Sequence, residues 1–155
     1  MKILFENWKR FIFEAVEVKK LRVFDMDDTL LTTSSMIIVR DKKGNEIKKI
    51  TPAEYATYEP AEAEVMDYSE FKTLKDPLPI QRAMESFKRI YNAGVGEHRK
   101  LAILTARGND AKPEIIKFLN EMGLNPKQIE VITLGDSSPL EKKKWIETQI
   151  KTGYN

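Results

Sequence analysis

Ten residues constrain this chain more than any other stretch: Leu21-Arg22-Val23-Phe24-Asp25-Met26-Asp27-Asp28-Thr29-Leu30. A short apolar run ends abruptly in three carboxylates within four positions. Apolar runs of this length bounded by a turn read as buried strands. In an open α/β sheet the ligand crevice lies outside the carboxyl ends of the strands. Carboxylates gathered at one point repel each other, and a hard cation that takes oxygen ligands is a strong reason to keep them there. The competing reading is an acidic turn capping the next segment, with Asp28 or Thr29 as the cap.

The composition removes several alternatives. With 155 residues one domain is expected, large enough to bury its own core. No Cys is present, which excludes disulfides, thiolate catalysis and Cys-zinc sites. The single His, His98, excludes multi-His metal centres and falls in a Gly-rich stretch that reads as a loop, with no role assigned. A net charge of +2 is too small to imply nucleic-acid binding by bulk electrostatics. No apolar run approaches a membrane span, so no membrane partner is expected.

Along the chain, residues 1–18 place Leu4, Trp8, Phe11, Ile12, Ala15 and Val16 at helical spacing, with charges between them. This predicts an amphipathic N-terminal helix, packed on the domain or used for docking or targeting. Residues 36–40 and 46–50 flank Asp41-Lys42-Lys43-Gly44-Asn45 and predict a β-hairpin. Lys42, Lys43, Lys48 and Lys49 make it basic, either as solvated charge or to hold a polyanion. Thr51-Pro52-Ala53-Glu54 is a capping box opening a short helix through Tyr58. Residues 59–78, acidic and with two prolines, read as irregular. Pro79 is expected to start a helix with the stripe Ile80, Met84, Phe87 and Tyr91, stopped at Gly94. A second buried strand, Lys100 to Thr105, leads into Ala106-Arg107-Gly108. Pro113 opens a third helix, with Ile115, Ile116, Leu119 and Met122 inward. Ile129 to Leu134 is a third strand. Ser138-Pro139-Leu140-Glu141 caps a last helix with Trp145, Ile146 and Ile150 inward.

Asp25-x-Asp27-x-Thr29 after a strand, a hairpin directly behind it, and Ile103-Leu104-Thr105-Ala106-Arg107-Gly108 at the end of a second strand together resemble the haloacid dehalogenase-like (HAD) hydrolases. The last string is similar to the 3′-phosphatase half of phage polynucleotide kinases. The resemblance covers roughly residues 20–155. It implies an α/β fold, a doubly wound parallel sheet with a flap hairpin after the first strand and the Thr105 strand between the other two. It implies a Mg²⁺-dependent phosphomonoester hydrolase. Asp25 would be the nucleophile and Asp27 the general acid/base. Both would be metal ligands, Asp27 through its backbone carbonyl. Thr105 would bond the phosphoryl group, and Arg107 is a candidate contact to the substrate phosphate. The family's Lys is expected early in the last helix. Lys142, i+3 from Trp145 and i+4 from Ile146, borders the inward face, and Lys143 is the second candidate, for substrate binding. Three solvated lysines are the plain alternative. The implied partner is a phosphorylated small molecule or a nucleic-acid 3′ end. Location would be cytoplasmic, in the host cytoplasm or with the virion if phage-encoded. No P-loop motif accompanies the domain.

The chain departs from the family at one place. The family's fourth motif, an acidic pair on a further strand beside the first, has no counterpart before Asn155. Asp136 is a poor substitute, because its strand should lie two spacings, about 9.5 Å, from the Asp25 strand. The expectation is therefore a domain incomplete at its C-terminus. Its Mg²⁺ shell would lack a carboxylate, and the exposed edge of strand 21–25 would be prone to self-association. Separately, the insert between the first strand and the second motif is too short for a full cap domain, so the site is expected to be open. Two rivals follow. One is a HAD-fold binding or structural module without turnover. The other is a response-regulator receiver, against which the hairpin at 36–50 argues.

Overall fold

The computed structural model describes residues 18–155, and the helix expected at residues 1–18 therefore lies almost wholly outside the described residues. The fold is mixed α/β, built on a small parallel sheet with helices. Lys20–Phe24 (β1), Arg99–Thr105 (β7) and Glu130–Thr133 (β8) form this sheet in the order β1-β7-β8. The expected strand order holds, with the Thr105 strand in the middle. Phe24 lies opposite Ile103, and Ile103 opposite Val131. These three side chains share one face, because neighbours in register point the same way.

That face carries the main core. The helices Gln81–Asn92 (α2) and Lys112–Glu121 (α3) contribute Met84 and Phe87, and Ile115, Phe118 and Leu119. Of the inward stripes read from the sequence, Met84, Phe87, Ile115 and Leu119 are buried; Ile116 is only half-buried, with Phe118 in the core in its stead, and Met122 is a half-buried cap residue. Gly123, at φ 76°, follows the cap in the left-handed conformation that glycine adopts without a steric cost. Pro139–Lys151 (α4) reaches the other face of the sheet, where Gln149 accepts a hydrogen bond from Lys100. No residue of α4 is buried, and Ile150, expected inward, is exposed.

Two assignments need correction. Pro79 does not open α2. It pairs with Leu31 in a two-stranded antiparallel ribbon, Leu31–Thr32 (β2) with Leu78–Pro79 (β6), and Ile80 N–H donates to the Leu30 carbonyl at 2.9 Å. A proline without a backbone donor is tolerated at such an edge. The helix starts two residues later. Residues 59–78 are also less irregular than their composition suggests, because Glu64–Asp67 (β5) is a strand. It joins the hairpin Ile37–Asp41 (β3) and Glu46–Ile50 (β4) in the order β4-β3-β5. Acids of β5 and of the turn after it meet the hairpin's bases: Arg40 holds Asp67 at 2.7 Å, and Lys49 holds Glu70 at 2.8 Å. Cross-strand charge complementarity substitutes here for the apolar alternation that marks most strands.

Residues 37–72 thus form a flap unit inserted between β2 and β6. It has its own apolar cluster of Ile37, Val39 and Ile50, packed by Tyr55, Tyr58, Met66 and Phe71. The capping box forms as expected, but its helix is only Pro52–Tyr55 (α1). In the hairpin turn the Asp41 carboxylate accepts the Lys43 and Asn45 N–H groups, and Gly44 takes φ 88°.

The edge of β1 away from β7 is partly covered. Lys19 bridges Tyr154 in parallel, Leu21 N–H donates to the Asn155 carbonyl at 2.8 Å, and Asn155 N–H donates to Lys19 at 2.8 Å. The edge expected to be bare from residue 21 is therefore occupied at its start.

The flap's ion pairs carry a pH dependence. Arg40, then Ser69, hold the Asp67 carboxyl down to about 2 from an ordinary 3.8. Lys49, then the Met36 N–H, hold Glu70 down to about 2 from 4.5. Both carboxyls are lower in the folded state, so their stabilisation is complete above about 4.5 and is lost as pH falls toward about 2. Thermal melts between pH 7 and pH 2 should show wild type losing stability across that window. Glu70→Gln should start lower at pH 7 and respond less to acid. Identical pH dependence in the two proteins would contradict this origin.

Candidate active site at the carboxyl edge of the sheet

The stretch that opens the site turns sharply because its residues alternate. Met26 is buried in the main core, while Asp25 and Asp27 on either side point outward. The Met26 carbonyl accepts N–H bonds from Thr29, Leu30 and Leu31, and Asp28 N–H donates to the Leu31 carbonyl. Asp28 sits at φ 58°, a left-handed conformation that Asp tolerates better than most residues. The next segment is the short strand β2 and not a helix, so neither Asp28 nor Thr29 acts as a helix cap. Burial of Leu30 and Leu31 pins the turn instead.

Two distant segments converge on this turn. From α4, Lys142 Nζ lies 2.7 Å from Asp25 Oδ2. The other oxygen, Oδ1, accepts the Met26 N–H at 2.9 Å. The pair remains accessible, with the Asp25 side chain 43% and the Lys142 side chain 27% exposed. Lys143 is directed elsewhere, to Glu147 at 3.7 Å on an exposed face of α4. Of the two lysines nominated from spacing, the structure brings Lys142 to Asp25.

The end of β7 supplies Thr105 and Arg107. Thr105 is fully buried. Its Oγ1 lies 3.5 Å from Asp27 Oδ2 and accepts the Arg107 N–H at 3.2 Å. The Arg107 guanidinium, 1% exposed, uses every donor it has on protein acceptors. Its Nε and Nη2 form a fork on the Asp27 carboxylate, at 3.0–3.1 Å and 2.7 Å. The second Nη2 proton reaches Thr33 Oγ1 at 3.0 Å. Nη1 donates to the Phe71 and Thr73 carbonyls at 3.1 and 2.5 Å. The guanidinium also lies over the Phe71 ring, 5.1 Å from its centroid. Arg107, the candidate contact to a substrate phosphate, binds Asp27 and the roots of the flap. Sequence reasoning missed Thr33, Phe71 and Thr73. Two of the three act through backbone carbonyls, which carry no residue signature.

Asp136 accepts the Ser138 N–H at 2.7 Å, as a turn acid ahead of α4. Among the described residues, no group of three or more His, Cys, Asp or Glu side chains is arranged to hold a metal ion. The residues present still suit one kind of ion. Mg²⁺ commonly keeps several waters and binds through one or two carboxylates plus a substrate phosphate. Asp25 offers an accessible carboxylate for that purpose. Charge points the same way. Asp25 and Asp27 are balanced by Lys142 and Arg107, so a phosphomonoester arriving with about two negative charges would need a further cation.

No family model, no curated protein and no solved structure matches the chain. Among the described residues no helix is long and apolar enough to cross a membrane.

Proposed function

We propose that the chain is a HAD-type phosphomonoester hydrolase working with Mg²⁺. The observation that carries this reading is the meeting of Asp25, Asp27, Thr105 and Lys142 from three separate segments at the carboxyl edge of one parallel sheet. The β1-β7-β8 order and the presence of helices toward both faces favour a doubly wound, HAD-like architecture.

In this reading Asp27 enters the step carrying a proton: an Asp25 oxygen attacks phosphorus, the bond to the leaving alcohol breaks, and Asp27 gives that oxygen its proton. Asp27 then takes a proton from water as the water attacks the aspartyl phosphate, which releases phosphate and restores Asp25. Lys142 neutralises the transferring group while keeping contact with Asp25. Mg²⁺, held by Asp25 and the Asp27 carbonyl, would screen the charge between nucleophile and phosphate. Thr105 is too deeply buried to be a general phosphate contact in this conformation, and its hydroxyl instead helps set Asp27.

For substrate, we infer a nucleic-acid or nucleotide 3′-phosphate, by the likeness of the Thr105–Arg107 segment to polynucleotide phosphatases. The flap narrows which lysines can serve. Lys48 lies over the Tyr58 ring and Lys49 pairs with Glu70, so both are committed to the flap itself. Lys42 and Lys43 at the hairpin tip make no ion pair among the described residues. Replacing Lys42 and Lys43 with Gln should raise KM for an oligonucleotide 3′-phosphate more than for a small phosphate ester, and should flatten the salt dependence. Replacing Lys48 and Lys49 should mainly lower flap stability. Equal KM changes on both substrates would remove the flap from substrate recognition.

A second reading is a phosphate-binding module without turnover. It is favoured by the same charge balance, since both carboxylates already hold cationic partners. Phosphate release from a 3′-phosphorylated oligonucleotide in Mg²⁺, and its absence in chelator, would decide for the enzyme. Calorimetric binding with no release would decide for the module.

A further inference from the structure

The flap unit meets the rest of the fold through two chain crossings. Thr33 to Met36 leads out from β2, and Thr73 to Pro77 leads back to β6. The crossings hold each other: Ser34 N–H donates to the Lys75 carbonyl at 2.9 Å, and Ser34 Oγ donates to Asp76 Oδ2 at 2.6 Å. Asp76, immediately before Pro77, sits at φ 47°. A non-glycine residue there stores backbone strain, of the kind found at hinges and clamps. Leu74 N–H is taken by Glu114 of α3 at 2.6 Å.

Arg107 grips both crossings at once, Thr33 on the way out and the Phe71 and Thr73 carbonyls on the way back. The remaining side of the same planar group holds Asp27 by its fork. A guanidinium is rigid, so the two sides cannot move independently. We propose that Arg107 is a positioning residue that latches the flap to Asp27, so that displacement of the flap and reorientation of the Asp27 carboxylate are one event. Substrate that lifts or settles the flap then sets the acid/base group in the same step. The inference rests on the proposed role of Asp27, but the latch can be measured without it.

Two measurements test it on the full chain. Hydrogen exchange across residues 33–36 and 71–76 reads the latch alone. Arg107→Lys keeps the charge and loses the fork. Thr33→Val removes one flap contact and leaves Asp27 held. Asp27→Asn weakens the grip from the other side. All three should speed exchange in both crossings, Thr33→Val least. If Asp27→Asn leaves exchange unchanged, the two sides are not coupled and the latch is overturned, whatever the activity. The second readout is the leaving group. An ester of a poorly acidic alcohol needs a proton from Asp27, whereas p-nitrophenyl phosphate hardly does. For Arg107→Lys and Thr33→Val, kcat on the alkyl ester should fall more than kcat on p-nitrophenyl phosphate, by on the order of tenfold for Arg107→Lys, with KM little changed. Faster exchange with an equal fall on both esters would reduce Arg107 to a structural brace. Should the wild type hydrolyse neither ester, the functional reading fails while the exchange data still decide the latch.

Discussion

Asp25→Asn should lower phosphomonoester hydrolysis by about four orders of magnitude or more while leaving the fold intact. The amide cannot form the acyl phosphate, so no residual covalent route remains. The fold should survive because the Asp25 side chain is 43% exposed and its structural partners are few: one backbone N–H and Lys142. An ion pair so accessible contributes up to about 1 kcal/mol, and Asn retains an oxygen for the Met26 N–H. Phosphate release and far-ultraviolet circular dichroism on the same preparations check both halves. Native-like spectra with full turnover would remove Asp25 as nucleophile. Lost spectra would show that Asp25 is needed for folding rather than chemistry. Lys142→Ala makes a useful companion. It should reduce turnover by less than Asp25→Asn, since it removes charge neutralisation and leaves the nucleophile in place.

The parts of this fold legible in the sequence are those where one local signal meets no competitor. β1, β7 and β8 are short apolar runs closed by polar residues, and a strand is the usual use of such runs. The Thr51 capping box and the stop at Gly123 each act within one turn of chain. Helical spacing narrows the last helix to Lys142 and Lys143, both of which border its apolar side, with a slight preference for Lys142, which is spaced to both Trp145 and Ile146. The failures share a physical cause, which is that the deciding interaction is distant in sequence. Glu64 to Asp67 becomes a strand by pairing with β3, whose Arg40 holds Asp67. Pro79 is drawn into a ribbon by Leu31. The flap contacts of Arg107 could not be read from the sequence because two of its acceptors, the Phe71 and Thr73 carbonyls, belong to backbone that any residues could supply. Asp25 and Asp27 stand out in the sequence as a charged pair, and Lys142 and Arg107 as candidate cations, but which cation meets which carboxylate shows only once the sheet has brought β7 and α4 beside them.

Phe87→Ala should be among the most destabilising single changes, and its effect should reach the site. Phe87 has no exposed surface, and its ring meets Phe24 edge-on at 5.0 Å with a 72° interplanar angle. Truncation removes the ring's burial and leaves a cavity that neighbours fill only in part, a cost of about 3–5 kcal/mol. An aromatic pair of this geometry adds about 1 kcal/mol beyond its buried area. Against a total stability of roughly 5–15 kcal/mol for a domain, that is a large fraction. At this chain length it corresponds to a fall in Tm on the order of 10 °C. The position of the loss matters as much as its size. Phe24 is the last residue of β1 and stands next to Asp25. With Phe87 gone, the end of β1 loses the contact that holds it against α2, and Asp25 should drift relative to Lys142 and Asp27. A misplacement of this kind lowers kcat even in molecules that remain folded. Ile47→Ala provides the contrast, at a side chain 51% exposed on the flap, and should change stability by no more than about 0.5 kcal/mol. Denaturant melts of both variants, with kcat measured well below each midpoint, distinguish the two effects. A Phe87→Ala protein that melts like wild type would mean that the Phe24–Phe87 contact does not support the core. One that melts early yet keeps full kcat at low temperature would mean that the end of β1 is held by the turn at Met26 rather than by α2.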